Sequence, residues 1–240
     1  MNQLRHIPTI GFSGLHRSGK GTEIDLLLNF FIENGYNPFV RKGHGTREGI
    51  GKEERDPNSE RWQINSPKLK NRTTPNFDKL RMEAAERLQT ELNTSYNALQ
   101  IAPVAKPVIL LDRTLISRYL TEKQFDDKFN FDRTLHFNPT RDSEIIGIQK
   151  TIIPDLIFVF ECNLDTLKNR FTPEELMTEK GKFRRNNIER TFDLFQSIIH
   201  NIPKPIENRV RIIDGNRNRY EVHDEVIEII KRDLPTYFEK

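Results

Sequence analysis

Gly14-Leu-His-Arg-Ser-Gly19-Lys20-Gly21-Thr22 is the stretch that decides how this chain is read. It follows a short apolar run at 7–12 and leads into Glu23-Ile-Asp-Leu-Leu-Leu-Asn-Phe-Phe-Ile, where apolar residues recur at helical spacing. Strand, glycine-rich turn and amphipathic helix, in that order, are the context in which such a turn binds phosphate. Glycines let the backbone close around an anion, successive N–H groups and the helix N-terminus point at its oxygens, and Lys20 adds a full charge. The strict pattern puts Ser or Thr directly after the lysine, whereas Gly21 intervenes here before Thr22. Gly14, Ser18, Gly19, Lys20, Gly21 and Thr22 are therefore expected to hold the phosphates of a nucleoside triphosphate.

Outward from that loop, five apolar runs read as buried strands, at 9–12, 36–41, 107–111, 156–161 and 210–213. Helical patterns alternate with them, most clearly at 22–34, 77–99, 164–170, 186–200 and 220–232. This alternation predicts a doubly wound sheet, and with the phosphate loop at its first strand a three-layer α/β/α fold of the P-loop NTPase type is expected, with a central, mostly parallel sheet of about five strands. Ligands of such sheets sit at the carboxyl ends of the strands. Two segments show neither period and read as long loops. One is 53–76, polar and carrying Trp62; the other is 125–145, where Phe125, Phe129, Phe131 and Phe137 alternate with charge, and it is expected to fold over a substrate. A lid is expected over about 172–186, carrying Arg184 and Arg185.

The 240 residues suit a single domain, 1–240, with a short lid. With 35% hydrophobic and 30% charged residues and no apolar run near the ~20 needed to cross a membrane, a soluble, cytoplasmic protein is expected. The single cysteine, Cys162, excludes an internal disulfide and a cysteine zinc cluster. A net charge of +3, spread rather than striped, argues against a nucleic-acid partner. The six histidines show no metal-ligand spacing, and Ile188, Phe192, Phe195 and Ile199 fall at core-forming helical spacing.

The run at 107–111 ends in Asp112-Arg113, a carboxylate where Mg²⁺ is held beside a phosphate loop and an arginine able to grip a phosphate bidentately. Here the chain resembles the thymidylate kinase family of nucleoside monophosphate kinases. Asp112-Arg113-Thr-Leu-Ile-Ser117 is similar to that family's Asp-Arg-aromatic-x-x-Ser signature, and Gly-Lys-Gly-Thr to its phosphate-loop variants. Gly45-Thr46-Arg47-Glu48 is similar to its Thr-Arg-Glu loop, and Glu83-Ala84-Ala85-Glu86-Arg87 to its Phe-Ala-Ala-Asp-Arg helix segment. Ile153-Pro154-Asp155-Leu156, Arg170, the 210–214 run and Glu221-Val222-His223 follow in the family's order, so the likeness runs with gaps from about residue 10 to 230.

The resemblance implies ATP as phosphoryl donor, Mg²⁺, a nucleoside monophosphate acceptor, thymidylate first, and a homodimer. It places Lys20 and the loop amides on the donor β- and γ-phosphates, with Thr22 or Asp112 reaching the metal. Arg113, Arg87 and Arg47 would bind the acceptor phosphate. Arg170 and the Asp214-Gly215 turn would lie near the donor nucleotide. Arg17, or a lid arginine, Arg184 or Arg185, would stabilise the transferring phosphoryl group, an effect worth ~10³–10⁵ in rate. Three departures cluster on the acceptor side. His16 replaces an acidic residue that contacts the acceptor sugar, Glu83 falls where the family has a base-stacking phenylalanine unless Met82 or Phe77 takes that role, and Thr114 replaces an aromatic. Two alternatives follow: a kinase of the same fold acting on a nucleoside or other small alcohol, and a non-catalytic nucleotide-binding regulator.

Overall fold

The computed structural model describes residues 5–42, 77–124, 126–137, 140–141, 144–145 and 149–238, with side-chain detail in the long second helix from residue 89 onward. Five strands form one parallel sheet: β1 (Thr9–Gly14), β2 (Asn37–Lys42), β3 (Pro107–Asp112), β4 (Leu156–Glu161) and β5 (Val210–Asp214). Their order is β2-β3-β1-β4-β5, so the chain winds out to one edge and then to the other, with the phosphate-loop strand in the middle. All five predicted strands are present, each within two residues of its expected start and end.

β1, β3 and β4 share one pattern: five buried residues, then a partly exposed one at the carboxyl tip. Strands covered on both faces read as unbroken apolar runs, and alternate residues serve opposite layers. Phe158 and Phe160 of β4 pack with Phe12 under helices α1 (Lys20–Glu33) and α8 (Arg219–Asp233), through Leu27, Phe31, Val226 and Ile230. Ile157 and Val159, their neighbours along the strand, face α3 (Leu115–Lys123), α4 (Leu164–Asn169) and α7 (Ile188–Ile199). Leu92 and Leu99 of α2 (Phe77–Ile101) cover Ile109 and Leu111. Ile188, Phe195 and Ile199 are core residues of α7, as their spacing predicts.

Two further segments take short helical forms. Phe129 and Phe131, read as parts of a loop over a substrate, are buried against Tyr119 of α3, with ring centroids 6.4 and 5.4 Å away. A 3₁₀ turn at Phe131–Thr134, begun by the Asn130 side chain accepting from the Asp132 N–H, sets the two rings inward. Alternating aromatic and charged residues suit such a turn as well as a surface loop, and burying the aromatic rings favours the turn. The expected lid forms two short helices, α5 (Pro173–Met177) and α6 (Glu179–Asn186), followed by α7. The final helix, α9, is Pro235–Phe238. The loop read at 53–76, with Trp62, lies outside the described residues.

Candidate active site

The phosphate loop departs from β1 at Gly14, whose φ of +150° and crowded surroundings leave no room for a side chain. A Cβ there would lie 2.5 Å from the Ser18 hydroxyl and 2.9 Å from the Phe160 carbonyl. Arg17 takes a left-handed φ of 69° and Gly19 one of 100° before α1 begins at Lys20. Such a conformation costs a non-glycine residue roughly 1–3 kcal/mol and persists only where surroundings enforce it. Lys20 is 8% exposed, its ammonium donating to the Leu15 carbonyl at 3.0 Å across its own loop.

Around this loop lies a cavity of about 600 Å³, within the usual size range of small-molecule sites. His16 through Thr22 form one side, and Arg170 and Gly215 form another. Arg170 is the buckle between them: one guanidinium nitrogen donates to the Arg17 carbonyl (3.1 Å) and the other to Gly215 (2.8 Å). Gly215 must be glycine, because a Cβ would sit 2.6 Å from Cys162 Sγ and 2.7 Å from the Ser18 carbonyl. Cys162 is buried behind Gly215, and burial pushes its thiol pKa up. Asp214 is exposed at the carboxyl tip of β5, where Oδ1 accepts from the Asn216 N–H at 2.9 Å and fixes the turn.

Beside the loop, β3 ends at Asp112, in register with Phe12 of β1. Arg113 leaves with a φ of 79° while its N–H donates to the Phe12 carbonyl at 2.9 Å. Thr114 then caps α3 and shares a buried hydroxyl network with Ser13 (2.6 Å), which also meets Ser117 (3.1 Å). Asp112 and Arg113 thus stand at the carboxyl edge next to the phosphate loop without walling the cavity. Among the described residues no three His, Cys, Asp or Glu side chains form a cation cage. Thr22 and Asp112 are oxygen donors of the kind Mg²⁺ takes when nucleotide phosphates supply its other ligands.

Glu175, on α5, reaches into the same cavity. One carboxylate oxygen accepts from Arg17 Nε at 2.8 Å and from Arg17 Nη2, and the other is hydrogen-bonded to His16 Nε2. Arg184 Nη1 approaches to 3.8 Å, whereas Arg185 stands apart, partly exposed in the last turn of α6. Burial pushes the Glu175 carboxyl up, but hydrogen bonds from Arg17 and His16 outweigh it and hold the group below the usual carboxylate range. In the first turn of α1, just after the loop, burial raises the Glu23 carboxyl to about 7 against the opposing pull of His223, whose Nδ1 lies 2.9 Å from Oε1.

The structure thus brings Arg17, Lys20, Thr22, Arg170 and Gly215 to one cavity, with His16 beside Arg17 and Arg184 joined through Glu175. Arg47 lies outside the described residues, and so do the side chains of Glu83 and Arg87 on α2. Sequence reasoning passes over Glu175, Glu23 and His223. For Glu175 a signal exists: Thr172-Pro-Glu-Glu175 is a helix start, and the Thr172 hydroxyl does accept from the Glu175 N–H. Glu23 and His223 are 200 residues apart, and no local pattern pairs them.

No family model matches the chain. It is 24% identical over 230 residues to the thymidylate kinases of Thermoanaerobacter sp. (strain X514) and Thermoanaerobacter pseudethanolicus, covering 94% of this chain and 98% of each relative. Among solved structures it is similar to thymidylate kinase from Candida albicans, with a TM-score of 0.60 at 16% identity, covering 95% of this chain and 92% of that one. The Ehrlichia chaffeensis thymidylate kinase gives a TM-score of 0.53 at 14% identity, covering 95% and 99%. These structures share the fold, and the curated relatives share sequence along nearly the whole length. The chain is thus similar to thymidylate kinases in sequence along nearly its whole length and in fold.

Proposed function

We propose that this chain transfers the γ-phosphoryl group of ATP to a nucleoside monophosphate, with dTMP the first acceptor to test, in the presence of Mg²⁺. The observation that carries the reading is the cavity at the carboxyl end of β1, where the loop amides, Lys20, Arg17 and Arg170 converge. Phosphoryl transfer asks a protein for little covalent chemistry; positioning and neutralisation of charge supply the rate. Lys20 and the loop N–H groups take the donor β- and γ-phosphates. Arg17 faces the group in transit, and Arg113, Arg87 and Arg47 take the acceptor phosphate. Thr22 or Asp112 would hold Mg²⁺, which would supply neutralisation of charge on the donor oxygens. The Asp214-Gly215 turn and Arg170 border the donor nucleotide. The working form is a homodimer, as the resemblance implies, in the cytoplasm, as the composition suggests.

A second reading keeps the donor and changes the acceptor to a nucleoside or another small alcohol. His16 favours it: an imidazole held on Glu175 stands where an acidic residue would face the acceptor sugar.

A coupled ADP-release assay with ATP and Mg²⁺, run against nucleoside monophosphates and free nucleosides, separates the two readings. Turnover is expected on dTMP, falling by about 10²–10³ in Lys20→Ala. Turnover on free nucleosides alone would establish the second reading. Lys20-dependent ATP binding without any turnover would refute both and leave a nucleotide-binding regulator.

A further inference from the structure

We infer that Glu175 is a positioning residue for Arg17: from α5 it fixes the guanidinium at the mouth of the phosphate cavity and makes the α5–α6 arm part of the transfer machinery. The inference rests on the kinase reading above.

A free arginine side chain has four rotatable bonds, and holding it against a moving phosphoryl group costs conformational entropy at the moment of reaction. Here that ordering is built in. The backbone of Arg17 is fixed in the left-handed region, and its carbonyl is held by Arg170. Its side chain is fixed by the carboxylate of Glu175 through Nε and Nη2, an edge-on contact that leaves Nη1 outside it. The second carboxylate oxygen is occupied by His16, so Glu175 meets the cavity with its charge already engaged by neighbours. With Arg184 at 3.8 Å the mouth carries two guanidinium charges against one carboxylate, and so still attracts anions.

The carboxylate is itself held rigidly. Glu175 sits in the first turn of α5, its side chain 15% exposed and its N–H capped by the Thr172 hydroxyl. Helix α6 packs on its backbone at Gly181, where a Cβ would fall 1.9 Å from the Glu175 carbonyl. No rotation of a side chain relieves an overlap with backbone, so glycine at 181 sets where α5, and with it the carboxylate, can sit. Thr178 caps α6 by accepting from the Gly181 N–H at 2.9 Å and donates to the Glu175 carbonyl at 2.7 Å, which locks the two helices together.

The test compares Glu175→Gln, Glu175→Asp and Gly181→Ala with the unaltered chain, alone and in an Arg17→Ala background. Glu175→Gln is expected to lower kcat about 10–100-fold with a smaller change in the ATP KM, since a misplaced group costs rate before it costs binding. Glu175→Asp should recover part of the loss, and Gly181→Ala should reproduce it with no charge altered. With Arg17 already removed, Glu175→Gln should change kcat less than twofold. An undiminished kcat in Glu175→Gln, or an equal loss in both backgrounds, would overturn the inference. Amide hydrogen exchange without nucleotide decides independently of turnover. Faster exchange over 14–20 as well as 173–186 in Glu175→Gln supports the coupling, and unchanged exchange over 14–20 contradicts it even if no acceptor is ever found.

Discussion

The phosphate loop and the α5–α6 arm close on the same cavity, yet they are built in opposite ways. The loop is a feature of nine consecutive residues, its shape dictated by glycines at Gly14 and Gly19, and what it would offer an anion comes mostly from backbone. The arm contributes side-chain charge, from residues more than 150 positions away, and depends on two short capped helices to aim it. Backbone geometry survives most substitutions but fails abruptly where a glycine is lost. Side-chain electrostatics degrade gradually and can be retuned for a different acceptor.

That contrast is broken most severely at Gly14. An alanine there meets the Phe160 carbonyl at 2.9 Å and must displace the loop. Since a misplacement of about 1 Å can cost ~10²-fold in rate, Gly14→Ala should lower kcat/KM by about that factor while the far-ultraviolet circular dichroism stays native. A variant of near-normal activity would show that the loop tolerates more movement than its packing suggests.

Arg170 sharpens the comparison, because it joins loop and wall through carbonyls rather than through substrate. Lysine at this position keeps the charge but cannot bridge Arg17 and Gly215 together. Arg170→Lys should raise the ATP KM about tenfold and lower stability by about 1–3 kcal/mol, the scale of hydrogen bonds from a charged group. Titration with ATP and thermal melts measure both, and a KM change without loss of stability would mean that Arg170 serves the ligand alone.

The smallest expected effect is at Glu23, buried below the loop against His223. Its carboxyl is raised from 4.5 to about 7, so the folded chain holds a proton there that the unfolded chain gives up. This contribution therefore falls as pH rises between about 4.5 and 7 and is flat above that window. Glu23→Gln should raise Tm by a few degrees at pH 8, for a change of about 1 kcal/mol or more, with the gain vanishing below pH 4.5. A gain that persists at low pH would assign the effect to packing instead of ionisation.

The fold was legible because its signals are local. β3 and β4 are covered on both faces, so each reads as an unbroken apolar run, and Phe31 and Phe195 recur with their helices' period. The phosphate loop was legible for the same reason. The packing of Phe129 and Phe131 is not legible locally, because a 3₁₀ turn and a surface loop draw on the same residue types and only the partner ring of Tyr119 distinguishes them. Glu175 went unread although its capping signature is present: nothing local in a sequence says which cation a carboxylate will meet, and Arg17 lies 158 residues upstream.

The most direct measurement follows the label from γ-³²P-ATP with dTMP and Mg²⁺, for the unaltered chain and for Lys20→Ala. Label in dTDP, lost with Lys20, is the predicted result. Label only in inorganic phosphate, or appearing equally in the Lys20→Ala variant, would contradict phosphoryl transfer to a nucleotide at this loop.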